Sequence, residues 1–69
     1  MENFNITVNS QDFTVEPQEN GTYRIMNGEE KTGVIYAEPS DEGTQWRTLD
    51  GLEDSFVAEV GKLITRHNQ

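Results

Sequence analysis

Enzymatic chemistry needs a nucleophile with a base to activate it, or a set of ligands for a metal or cofactor, and this chain of 69 residues offers few of either. Its one histidine, His67, stands two residues from the end. As a cation it would complement a helix terminus there rather than activate a hydroxyl. Cysteine is absent, which removes thiolate catalysis and thiolate metal sites together. Thirteen carboxylates guarantee many acid pairs, so a pair by itself says nothing about general acid–base work, which also needs a cleft. The acidic doublets Glu29-Glu30 and Asp41-Glu42 lack the alternating oxygen ligands around a central glycine that a calcium loop uses. Gly43 and Gly51 are isolated, and the helix expected after them opens with Asp50, Glu53 and Asp54, which would repel a phosphate. No catalytic residue, metal site or cofactor is expected, and the chain reads as a non-enzymatic protein.

Two other features have the residue types of a contact surface. Trp46-Arg47 follows an acidic loop, and both types are over-represented among residues that anchor interfaces. The competing role for Trp46 is the core or its edge, because one tryptophan is a large share of the apolar area of so small a chain. Arg47, pointing the other way, would then pair with nearby carboxylates at small gain. The second feature is the run Val34-Ile35-Tyr36-Ala37, where the alternation of the preceding strands is lost. A strand covered on one side only leaves either Ile35 or the Val34/Tyr36 pair outside, and an uncovered apolar group suits a partner. Val34, Ile35, Tyr36, Trp46 and Arg47 are therefore the candidate partner-binding residues.

The elements that must position them follow from periodicity. Phe4, Ile6 and Val8 alternate with Asn5, Thr7 and Asn9; Phe13 and Val15 alternate with Thr14 and Glu16; Tyr23 and Ile25 continue the pattern. Half-buried antiparallel strands have this period of two. A turn centred on Ser10-Gln11 would set Val8 opposite Phe13 and Ile6 opposite Val15. A three-residue loop Glu19-Asn20-Gly21, with Gly21 left-handed, sets Val15 opposite Ile25 and Pro17 opposite Tyr23. Asn27-Gly28 begins the next reversal, and Gly33 marks a possible bulge. Pro39 to Gly43 reads as a loop. Leu52, Phe56, Val57, Val60, Leu63 and Ile64 fall within an arc of about 140° on a helical projection, the width of a core-facing stripe. Asp50 with Glu53 has the spacing of a capping box.

The expected architecture is α+β: one domain over 1–69, a small antiparallel β-meander of four or five strands, and one C-terminal helix on one face. The strands are expected at about 3–9, 12–17, 22–27, 32–38 and 44–48, and the helix at about 51–66. With 32% hydrophobic residues and no disulfide, the core is one thin layer with little concave volume.

The formal charge of −8 argues against direct binding to nucleic acid or to anionic membrane, since phosphates must be neutralised by clustered Lys and Arg. The start of the chain has no basic or apolar signal region and the longest apolar run is Val34 to Ala37, so a soluble, cytoplasmic protein is expected. The sequons Asn5-Ile6-Thr7 and Asn20-Gly21-Thr22 then read as chance. The acid excess either keeps the protein soluble or meets a basic protein partner. What remains is a small acidic interaction or accessory module, monomeric or weakly dimeric. The alternatives are self-association through an exposed strand edge, or an acidic mimic of nucleic acid that blocks a DNA-binding protein.

Overall fold

A computed structural model describes residues 2–68. Five strands form one antiparallel sheet in sequential order: β1 (Phe4–Val8), β2 (Gln11–Pro17), β3 (Thr22–Asn27), β4 (Glu30–Ser40) and β5 (Gly43–Thr48). A single helix, α1 (Asp54–His67), packs against one face. The expected α+β meander with a C-terminal helix is the fold.

Alternation sends Ile6, Val8, Phe13, Val15, Ile25 and Ile35 to the helix side, where they are buried with Val57, Val60 and Ile64. The helix approaches the backbone of β1, β4 and β5 but not that of β2 and β3. Both edge strands therefore come within reach of the helix.

Hairpin geometry decides the register, and one hairpin differs from expectation. The β1–β2 turn is Asn9-Ser10, both with positive φ (52° and 66°), as a two-residue turn matched to strand twist requires. It pairs Ile6 with Phe13 and Phe4 with Val15, not Val8 with Phe13 and Ile6 with Val15. The shift is two residues, so every side chain keeps its face. The tighter turn also places Thr7 Oγ1 2.9 Å from Asp12 Oδ1 and Thr14 Oγ1 3.0 Å from Asn5 Oδ1. The second hairpin has the anticipated loop: Val15 pairs with Ile25, Pro17 with Tyr23, and Gly21 is left-handed at φ 86°. Asn20 Oδ1 accepts from the Thr22 backbone N–H at 3.2 Å and from its hydroxyl at 2.7 Å, closing the loop locally.

Between β3 and β4 the register slips, with Ile25 opposite Gly33 and Met26 opposite Lys31. Thr32 is the extra residue of a bulge beside Gly33. β4 also outruns its expected end at residue 38. Pro39 and Ser40 pair with Thr44 and Gly43, which leaves only Asp41-Glu42 as the turn in place of the expected loop from Pro39 to Gly43. Pro39 is tolerated because the β3 ladder has ended at Thr22 and Tyr36, so no strand on that side asks for its missing N–H.

The helix begins three residues later than the capping-box pattern suggests. Its N-cap is Glu53, without a side-chain capping bond, because Asp50 is engaged elsewhere: its Oδ2 accepts the Val34 backbone N–H at 2.8 Å. Leu52 accordingly precedes the helix and lies over Gly33, its Cδ1 2.8 Å from where a Cβ would stand. A bulged strand thus receives its missing acceptor from the chain that leads into the helix. At the other end Arg66 and His67 occupy the last turn, where cations complement the dipole. The His67 ring stacks on Phe4 with centroids 3.7 Å apart.

Gly61 is buried on the helix face that meets the sheet, directly against the Trp46 indole. In a solvent-exposed helix Gly→Ala gains about 1 kcal/mol. Here the added Cβ would enter the indole ring, so Gly61→Ala should instead lower stability by about 1–3 kcal/mol in urea titrations. Asp50→Ala should cost about 1 kcal/mol, as loss of a local side-chain acceptor does. It should also speed amide exchange at Val34 without changing exchange in the first helical turn.

Candidate functional site

The five residues singled out from the sequence do not form one patch. Ile35 faces the helix and has no exposed surface, so it cannot be part of a contact surface. Trp46, paired with Ala37, lies on the helix side. It is half-buried between Gly61 and Tyr23, whose ring meets it edge-on at 5.6 Å. Val34, Tyr36 and Arg47 lie on the opposite face, which no helix covers. Tyr36 and Arg47 are directly paired there.

That helix-free face is built in rows by the register. Val34 pairs with Arg24, and Arg24 with Glu16; Tyr36 stands between Thr22 and Arg47; Met26 stands between Thr14 and Lys31. Val34, Tyr36 and Met26 are half-buried by their neighbours although nothing lies over them. Around this apolar centre the charges are interleaved. Arg24 donates from Nε to Glu16 Oε1 at 2.6 Å. Arg47 is held more loosely, with Nη2 2.9 Å from Gln45 Oε1 and Nε 3.7 Å from Glu38 Oε2. Such exposed pairs contribute little to stability and leave Arg47 free to rearrange.

Three of the five basic residues, Arg24, Lys31 and Arg47, are on this face with three acids, Asp12, Glu16 and Glu38. Everywhere else ten acids stand against two bases, Lys62 and Arg66. The whole net charge of the chain lies off this face, much of it at the turns and at the start of the helix.

Sequence reasoning missed two surface features. Leu49, one residue beyond the last β4–β5 pair, is 90% exposed. The signal for it was a leucine outside both the strand alternation and the helix stripe. The other is an open groove of about 910 Å³ between the helix start and the nearby turns. Val8, Phe13, Leu52 and Phe56 give it an apolar floor, and Asn9 and Asn27 are at its walls. One thin layer was expected to leave little concave volume. Instead the start of the helix and the turns beside it leave this groove between them.

Among the described residues no group of three or more His, Cys, Asp or Glu is placed to hold a metal ion, and no helix is long and apolar enough to cross a membrane. Compared with models of known protein families, with curated proteins and with solved structures, the chain matches none.

The two faces of β4 predict opposite responses. Ile35→Ala should cost about 2–5 kcal/mol, a large fraction of the stability of a domain this size. Val34→Thr and Tyr36→Ser should each cost about 1 kcal/mol or less, measured by the same denaturant titration.

Proposed function

We infer that the protein is a small, non-enzymatic interaction module of the cytoplasm that engages a protein partner through its helix-free sheet face. The observation that carries this reading is the partition of charge. The one broad surface without net charge is also the one with an uncovered apolar centre, Met26, Val34 and Tyr36. Contact surfaces have this composition: an apolar middle that loses water, with charges at the margin. Tyr36 beside the loosely held Arg47 supplies two of the three residue types that most often anchor such contacts.

The acids at the turns, Glu19, Glu29, Asp41 and Glu42, with Glu30 at the start of β4, border both ends of this face. They favour a partner with basic margins, drawn in by long-range attraction and held by the apolar centre. The absence of cysteine and the position of the only histidine, stacked on Phe4 at the end of the helix, support a non-enzymatic role. An acidic mimic of nucleic acid is less well supported. On the sheet face acids alternate with Arg24, Lys31 and Arg47, and along the helix Asp54 and Glu59 are followed by Lys62 and Arg66.

A photo-crosslinking residue placed at position 36, compared with one at position 59 on the helix, tests the reading in lysate. The expected result is a partner captured from position 36 alone. Its capture should fall about tenfold or more in Val34→Asp and weaken as salt screens the margins. Equal capture from both positions, or capture indifferent to Val34→Asp, would sink it.

A further inference from the structure

We propose that β5 and the outer row of the helix form a two-fold seam at which a second copy of this chain adds its own β5, extending the sheet from five strands to ten.

The strand β5 ends the sheet, with no strand on its outer side. Its backbone directions follow from Val34. The Val34 N–H donates to Asp50 and its carbonyl accepts from the Thr48 hydroxyl at 2.8 Å, so both groups point towards β5. Directions alternate along a strand, so Tyr36 and Glu38 point the same way and meet Arg47 and Gln45, their paired residues. The N–H and carbonyl groups of Thr44, Trp46 and Thr48 then point outward. Edges of this kind are usually blunted by proline, charged side chains or a bulge. Between Gly43 and Thr48 β5 has no proline and no bulge, and its single charge is Arg47.

Beside this edge runs a groove of about 520 Å³, with Thr44 to Arg47 as one wall and Asp54, Ala58 and Lys62 as the other. Spaced four apart, these three helical residues form one row along the helix. The row reads acid, methyl, base. A two-fold axis perpendicular to the sheet turns such a row onto its own complement: Asp54 meets Lys62 of the second copy, Ala58 meets Ala58, and Lys62 meets Asp54. The small central residue is what lets two helices approach.

The strand is satisfied by the same axis. In antiparallel pairing, opposed residues must share a face. Placing Trp46 opposite Trp46 sets Thr44 opposite Thr48 and Gln45 opposite Arg47. All three outward-pointing residues are then in hydrogen-bonded pairs. Sliding the register two residues one way puts Arg47 against Arg47, which repels; sliding it the other way leaves Thr48 unpaired. The centres of the strand register and of the helix row, Trp46 and Ala58, line the same groove. Two independent patterns thus select one axis.

One short strand and one helical row make a seam below the roughly 1,200–2,000 Å² of a standard interface. The dimer is expected to be weak, with a dissociation constant of about 0.1 mM. Each copy brings a charge of −8, so association should tighten as salt screens that repulsion. This is the opposite salt dependence from the sheet-face partner above, and the two proposals use different surfaces and stand or fall separately.

Sedimentation equilibrium of the full chain at increasing concentration, in low and high salt, is the test. The expected result is a monomer–dimer equilibrium strengthened by salt. It should weaken about tenfold or more in Asp54→Lys, which sets lysine against lysine, and recover in the double variant Asp54→Lys with Lys62→Asp. Both positions are exposed, and circular dichroism of each variant confirms its fold. A monomer under every condition would overturn the proposal and leave the edge to an extended segment of another protein. So would a dimer indifferent to Asp54→Lys, or one that the double variant fails to restore.

Discussion

One helix has to cover the inner face of five strands. Five strands side by side span about 19 Å, and a helix with its side chains is about 10 Å across. A flat sheet would leave apolar side chains of its outer strands in water. Here β1 and β5 both come within reach of the helix, and Val15, Ile25 and Ile35 are enclosed with Val57, Val60 and Ile64. The helix comes close to β5 where the Trp46 indole lies against Gly61. A side chain at residue 61 would push the helix off β5 and reopen one flank of the core.

Other details serve the same constraint. The bulge at Thr32 bends β4, as bulges increase local twist, and on its other side the β5 ladder ends at Ile35 and Thr48, which leaves the Val34 N–H without a strand partner. Asp50 supplies the acceptor, and Leu52 fills the space above Gly33. The chain between the last strand and the helix is thereby fastened to the middle of β4 before the helix begins, which fixes where α1 can lie. With the inner face fully used by one helix, the outer face has no cover. Its Val34, Tyr36 and Met26 are shielded only by neighbouring side chains in the same rows, and the interleaved charges there keep it neutral while the rest of the surface is strongly acidic.

The fold was largely legible because period-two patterns are read at face level. A register error of two residues in the first hairpin changed the partners of Ile6 and Phe13 but moved no side chain to the wrong side. The second hairpin was legible in full, since Gly21 supplies the left-handed residue that its loop needs. The candidate surface was half legible. The run Val34 to Ala37 announced that one set of its residues would be uncovered, yet it could not say which. Trp46 and Arg47 were adjacent in sequence and ended on opposite faces, as strand neighbours must.

By itself the sequence determined what short-range rules control: the alternating strands, the reversals at Asn20-Gly21 and Asn27-Gly28, the apolar stripe of the last helix, and the lack of cysteine or a placed histidine. Tertiary structure decided what depends on residues distant along the chain. Asp50 had the spacing of a helix cap, but a bulged strand sixteen residues earlier claimed its carboxylate. Gly61 stands inside a helix, where glycine is ordinarily unfavourable, and the indole of Trp46 occupies the space its missing side chain leaves. Local patterns state what a residue is able to do; competition for the same hydrogen bond or the same volume is settled only when separate segments meet.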